Sequence, residues 1–301
     1  MAGIYVYSDK LDIAAELIGF AKSNRQAAYV ICFNQNDANQ LAQMGADQVF
    51  YLQGNSPRPE NYTQSAAAFL QARHADLFAV GATARGRELA ASVAGYLDCA
   101  MISDVSGASF VDGKLTTERM MYGGAVVQSE EVSGLSVVTI AAGKYEPVKG
   151  STEVITVEAT AESRITVLET APIVKEGVDL RQAGSVVCVG LGLEKEADLQ
   201  LAKDLAAALN AEIGCTRGIA EERHWLPVEQ YIGISGAVIK PQLYLSMGVS
   251  GQVQHIFGVR DAKIIVAIDN NEKAPIFRSA DYGIVGDMYE IIPLLTKALN
   301  G

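Results

Sequence analysis

Histidine is scarce in this sequence, and cysteine never occurs in close pairs. Three histidines and four cysteines are spread through 301 residues. Cys32, Cys99, Cys188 and Cys215 form no CxxC pair, and no His-rich stretch adds ligands, which speaks against a zinc or cluster site. Each cysteine reads instead as a small buried hydrophobe in or beside a strand. No apolar run approaches the roughly 20 residues that a membrane span needs. The N-terminus opens on a strand-like run, Ile4–Tyr7, with no basic segment ahead of a long apolar one, so we expect a cytoplasmic protein. Basic charge is also short: 24 Lys and Arg stand against 35 Asp and Glu, a net charge of -11. Nucleic acid needs clustered Lys and Arg, and the balance argues against it. Signatures of hydrolases, P-loop proteins and zinc enzymes are missing too.

What is present is alternation. In the first half, strand-like runs at Ile4–Ser8, Ala28–Phe33, Gln48–Leu52 and Leu77–Gly81 are separated by helical segments at Ile13–Lys22, Asp37–Met44 and Tyr62–Arg73. Spacing of this kind predicts parallel βαβ units. A helix is expected over Gly86–Leu97. Then Asp112-Gly113 stands between β-prone runs, a hairpin signal. Ser136–Gly143 reads as a further strand, and Thr152–Leu168 as a source of an edge strand. Between Glu169 and Ala183 the pattern dissolves.

The second half restarts with a buried strand at Val186–Gly190 and a helix over Glu194–Asn210. Strands are predicted near Ala211–Cys215 and at LYLSMG, KIIVAID and YGIVGD, with helices at Val253–Val259 and Tyr289–Leu299. The fold class is therefore α/β, with two domains, each a doubly wound, mostly parallel sheet flanked by helices. The boundaries fall at 1–170, a linker at 171–184, and 185–301.

In such sheets ligands bind where strands end, so the second half nominates its own candidates. They are Thr216 and Arg217, Gly233–Gly236, Ser250–His255, Asp269 and Asp287. Ser250 reads either as the N-cap of the helix through His255 or, with Gly251 and Gln252, as a phosphate seat at that N-terminus. Gln254 and His255 lie on the next turn. An imidazole there, positive or hydrogen-bonding, is suited to the pyrimidine carbonyl of a flavin. Arg217 has a planar guanidinium suited to a flavin ring. Asp269 and Asp287 end apolar strands, positions that receive ribose hydroxyls or an adenine edge, although either could simply cap the next segment. Gly190-Leu191-Gly192 suggests a nicotinamide fingerprint, but Lys195 stands where the third glycine belongs.

The tract Leu243-Tyr244, Gly248-Val249-Ser250-Gly251, Gln254-His255, Ala274–Phe277, Ala280–Gly283 and Asp287 closely resembles the C-terminal domain of the α subunit of electron transfer flavoproteins. The first half is similar to the same family at Gly86–Ala90, Ser103-Asp104 and Met121-Tyr122-Gly123-Gly124. The resemblance is to the FixB-like subfamily, and it implies a Rossmann-like FAD-binding domain at 185–301. It places the family's flavin-ring arginine on Arg217, beside Thr216, and its hydroxyl near flavin N5 on Ser235. The turn Gly233-Ile234-Ser235-Gly236 carries Ile234 where the family has glutamine. The family's phosphate loop falls on Ser250, Gly251, Gln252, Val253, Gln254 and His255, and its adenosine-side contacts on Asp269 and Asp287. The implied function is electron carriage rather than substrate turnover, by a heterodimer with a β subunit. Its implied electron partners are an acyl-CoA dehydrogenase-type flavoenzyme of fatty-acid β-oxidation and a quinone- or ferredoxin-linked acceptor. The competing readings are a flavin-free adenine-nucleotide-binding or regulatory module and a nicotinamide-dependent dehydrogenase.

Overall fold

In the strand at the middle of the first sheet, β1 (Ile4–Tyr7), all four side chains are buried. Ile4 and Val6 join one apolar cluster, and Tyr5 and Tyr7 join another. Successive side chains of a strand point to opposite faces, so such a strand must be covered on both. The structure, a computed structural model, describes residues 2–122, 126–161, 165–171 and 179–300. The chain divides into two units, Met1–Pro172 and Ile173–Gly301. Gly123 and Gly124, and residues 172–178 of the expected linker, lie outside the described residues.

In the first unit β1 is followed by α1 (Leu11–Ser23), β2 (Ala28–Cys32), α2 (Gln35–Leu41), β3 (Gln48–Gln53), α3 (Thr63–Ala72), β4 (Leu77–Gly81) and α4 (Ala84–Leu97). Then come β5 (Ala100–Val105), β6 (Gly107–Val111), β7 (Lys114–Met121), β8 (Val126–Ser133), β9 (Ser136–Ile140) and β10 (Val154–Glu158). Seven strands form a sheet in the order β10-β3-β2-β1-β4-β9-β5, with every pairing parallel. Leu17, Ile18 and Phe20 of α1 and Leu41 of α2 pack on one face. Leu70 of α3 and Leu89 and Val93 of α4 pack on the other. The Asp112-Gly113 turn joins β6 to β7, setting Val111 opposite Lys114. Both turn residues have positive φ, as a tight two-residue hairpin requires. Together with β8 this makes a separate three-stranded antiparallel sheet.

The second unit runs β11 (Ser185–Val189), α5 (Leu199–Leu209), β12 (Glu212–Cys215), β13 (Leu243–Met247), α6 (Val253–Phe257), β14 (Ile265–Asp269), β15 (Tyr282–Val285) and α7 (Met288–Leu299). Its five parallel strands are ordered β12-β11-β13-β14-β15. The chain winds outward to β12 and returns to the other side of β11, so the winding direction reverses between β11 and β13. Ligands of open α/β sheets bind at such a reversal. Val187 and Val189 face α5 and α7. Val186 and Cys188 face Leu180, Ile232, Ile239 and Val259, so this second face is covered in part by the irregular passage between β12 and β13. The helix expected over Glu194–Asn210 starts at Leu199, after a 3-10 turn at Glu196–Asp198.

Candidate functional site

Three glycines bring the loops after β11 and β13 into backbone contact. A Cβ on Gly190 would lie 2.1 Å from the Gly248 carbonyl oxygen, and one on Gly192 would lie 2.6 Å from the Gly248 Cα. The G-x-G is thus accounted for by close packing of two strand-end loops. The Gly192 N–H donates to the Gly248 carbonyl at 3.0 Å. Next along the edge, the Gly248 N–H donates to Ile268 of β14, and the Gly286 N–H after β15 donates to Asp269. On the other side, the Thr216 N–H after β12 donates to Val189 of β11. Thr216, Leu191, Gly248–Ser250, Asp269 and Asp287 are therefore arrayed in turn along a single carboxyl edge.

Beyond β12 the chain turns through Arg217 into a π turn over Gly218–Glu222. The Arg217 Nε donates to the Glu221 carboxylate at 2.5 Å, and the guanidinium is mostly exposed. Leu191 fills the space above Gly218, where a Cβ would meet its Cδ1 at 2.7 Å. The Thr216 hydroxyl is buried without a hydrogen-bond partner among the described residues. Leaving a buried hydroxyl unpaired costs about 1–3 kcal/mol.

The turn Gly233–Gly236 is wrapped around Tyr231. A Cβ on Gly236 would lie 2.7 Å from the ring's Cδ1, and one on Gly233 would lie 2.8 Å from its hydroxyl. The Tyr231 hydroxyl stands 3.1 Å from Ser235 Oγ. Three backbone links hold this turn in place: Ile232 N–H to the Cys215 carbonyl, Ile234 N–H to the Gln254 carbonyl, and Ile239 N–H to the Gly258 carbonyl. Residues expected to act together from distant parts of the chain, Thr216–Arg217, Gly233–Ser235 and Gln254–His255, are thereby joined.

Two sequence expectations, on Ser250 and on a cationic His255, are changed. Ser250 does not cap α6; the N-cap position is Gln252, whose side chain makes no cap bond. Gly251 at φ +78 delays the helix, and its backbone is pressed onto Ile276, where a Cβ would lie 2.3 Å from the nitrogen. Ser250, Gln252, Val253 and Gln254 remain exposed at the edge. His255 is not a cation at neutral pH. It is 7% exposed, and burial lowers its pKa from 6.5 to about 4. Both ring nitrogens are engaged within the protein, Nδ1 with the Ile232 carbonyl at 3.0 Å and Nε2 with the Tyr244 hydroxyl at 2.6 Å. Asp287 caps α7 by accepting the Tyr289 N–H at 2.8 Å. Asp269 accepts the Asn271 N–H at 2.9 Å.

Comparison with known proteins separates the readings. Residues 15–170 match the electron transfer flavoprotein domain. Residues 179–260, which include Thr216 to His255, match the electron transfer flavoprotein FAD-binding domain. The chain is 40% identical over 305 residues to a putative electron transfer flavoprotein subunit, YdiR, of Escherichia coli K12, covering 99% of this chain and 98% of that one. It is 36% identical over 306 residues to the protein FixB of Escherichia coli O1:K1, covering 98% and 97%. FixB of Shigella dysenteriae serotype 1 matches at the same identity and coverage. The chain belongs to the electron transfer flavoprotein α-subunit family, in its FixB-like branch.

Electron transfer flavoproteins carry electrons and do not turn over a substrate of their own, and the cofactor of the matched domain is FAD. The edge fits that cofactor on its own chemistry. It offers the orphaned Thr216 hydroxyl, the Arg217 guanidinium, the exposed apolar side chains of Leu191, Ile234 and Val253, and the Asp269 carboxylate. Sequence reasoning gave no role to Tyr231, Tyr244 or Glu221. The signal for Tyr231 was its place beside a glycine-rich turn, and for Tyr244 its place in an apolar strand, since a buried phenol must find a partner for its hydroxyl.

Proposed function

We propose that this chain is the α subunit of a heterodimeric electron transfer flavoprotein and holds FAD along the carboxyl edge of its C-terminal sheet. Arg217, Thr216 and Ser235 take the flavin ring, Ser250–Gln254 the pyrophosphate, and Asp269 and Asp287 the adenosine. The observation that carries this reading is order. Along the edge β12-β11-β13-β14-β15, a cation and hydroxyls come first, an exposed polar loop second and carboxylates last. Four strand spacings of about 4.8 Å give the edge a span of about 19 Å, enough for an extended dinucleotide.

Bound FAD supplies the redox chemistry, taking and giving electrons one or two at a time. The chain's residues set how readily it does so. The Arg217 guanidinium favours added negative charge on the ring, and its Glu221 partner moderates that effect. The Ser235 hydroxyl is held ready by Tyr231. The neutral His255 contributes by fixing the turn that carries Ser235. A β subunit completes the heterodimer in the cytoplasm. Electrons pass from an acyl-CoA dehydrogenase-type flavoenzyme to a quinone- or ferredoxin-linked acceptor.

The test is the visible absorption spectrum of the chain purified with its co-expressed β subunit. A bound oxidised flavin spectrum, diminished in the Ser235→Ala, Arg217→Ala double variant, is expected. Colourless protein carrying a bound adenine nucleotide would instead establish the flavin-free module.

A further inference from the structure

His255 is gripped by groups from three other parts of the second unit. Its Nδ1 meets the Ile232 carbonyl at 3.0 Å. Its Nε2 meets the Tyr244 hydroxyl of β13 at 2.6 Å, and the Cys188 thiol of β11 lies 3.9 Å from the same nitrogen. Tyr244 and Cys188 are each 0% exposed. A carbonyl can only accept, so the Nδ1 contact is a hydrogen bond only when the proton of the neutral imidazole sits on Nδ1. Nε2 is then a bare acceptor, and the Tyr244 O–H is the strong donor in reach.

We infer that Tyr244 is a positioning residue: its hydroxyl selects the Nδ1–H tautomer of His255, and that tautomer pins the turn bearing Ser235 to α6. Ile232 directly precedes Gly233, so the Nδ1–H bond fixes the turn at its entry, while the bond from Ile234 to Gln254 fixes its crown. Without the phenol, Nε2 would face only the Cys188 sulfur, a weak partner of either sense. The proton could then shift to Nε2, and the Ile232 carbonyl would lose its donor. The Cys188 thiol cannot substitute by ionising, because burial raises its pKa well above the usual thiol value. No charged side chain contributes to the shift of His255, which comes from burial and is opposed by the Ile232 bond.

This deepens the flavin reading, since the turn being pinned is the one assigned to the ring. The tautomer itself is a property of the polypeptide and can be read without FAD. The chain has only His74, His224 and His255. His74 and His224 are exposed with left-handed backbones, at φ 52 and φ 55. His74→Asn and His224→Asn therefore assign the ring nitrogens of the full chain, labelled with 15N-histidine and purified with its β subunit. We expect His255 to show a protonated Nδ1 and a bare Nε2, constant between about pH 5.5 and pH 8. In Tyr244→Phe the two nitrogen resonances should move toward each other, and the flavin midpoint potential should shift with them.

A protonated Nε2, an imidazolium at neutral pH, or resonances unmoved in Tyr244→Phe would overturn the inference. Should that variant fail to fold, the wild-type protein still decides. A slowly exchanging phenolic proton with cross-peaks to the His255 ring supports the inference, and its absence refutes it. Protein that never binds flavin but shows the predicted tautomer would sink the flavin reading and leave this one standing.

Discussion

Acidification below about pH 6.5 should weaken the second unit through His255. An unfolded histidine titrates near 6.5, whereas burial holds His255 at about 4 in the folded protein. Between those values the unfolded chain binds a proton that the folded chain refuses. Stability is therefore full above about pH 6.5 and falls as pH drops toward 4. The whole gap corresponds to about 3 kcal/mol at 1.36 kcal/mol per pKa unit, and the part between pH 6.5 and 5 to about 2 kcal/mol. That upper part is the one to measure, because it lies above the range in which carboxyl groups ordinarily titrate. Trp225 is the only tryptophan and lies in the second unit, so its fluorescence follows that unit alone. Urea unfolding of the wild type and of His255→Gln should be compared at pH 7.5, 6 and 5. The exposed His74 and His224 are common to both proteins and cancel. The stability advantage of the wild type should shrink by about 2 kcal/mol from the highest pH to the lowest. Parallel curves for the two proteins would refute a buried, neutral His255.

Arg217→Ala should lower the flavin midpoint potential, and Glu221→Gln should raise it, because the two side chains act on the ring with opposite sign. Spectroelectrochemical titration of both variants checks this, and equal potentials would reject the ring assignment. Gly251→Ala combines a left-handed backbone with a Cβ 2.3 Å from the Ile276 nitrogen. It should cost about 3 kcal/mol or more by the same fluorescence assay. Asp287→Ala removes the N-cap of α7 and should cost about 1 kcal/mol. A concurrent loss of FAD affinity in calorimetric titration would show that the carboxylate also serves the adenosine, while unchanged affinity would confine it to capping.

Much of the architecture was legible as alternation. Strand runs such as Ala28–Cys32 and Leu77–Gly81 are apolar throughout because parallel strands are buried on both faces. The Asp112-Gly113 turn was legible because two consecutive positive φ angles suit few other residue pairs. Sequence neighbours could not say that β5 pairs outside β9 while β10 lies at the opposite edge. Those placements depend on which sheet edge is open, and no local pattern encodes that. Ser250 was misplaced as a cap for a related reason. The serine has the right chemistry, but the left-handed Gly251, pressed onto Ile276, starts the helix later.

The candidate site divides the same way. The residue types at strand ends, a cation at Arg217, hydroxyls at Thr216 and Ser235 and carboxylates at Asp269 and Asp287, are fixed by sequence, and so is the family they resemble. Their order along one edge, the unpaired Thr216 hydroxyl and the charge state of His255 are not. An imidazole's pKa depends on what surrounds it. Ile232, Tyr244 and Cys188 reach His255 from parts of the chain 23, 11 and 67 residues away. The sequence by itself determined the list of groups available to a flavin. Only the tertiary structure decided which of them are charged, which are paired and which are left facing the edge, because burial and hydrogen bonding are properties of neighbours in space.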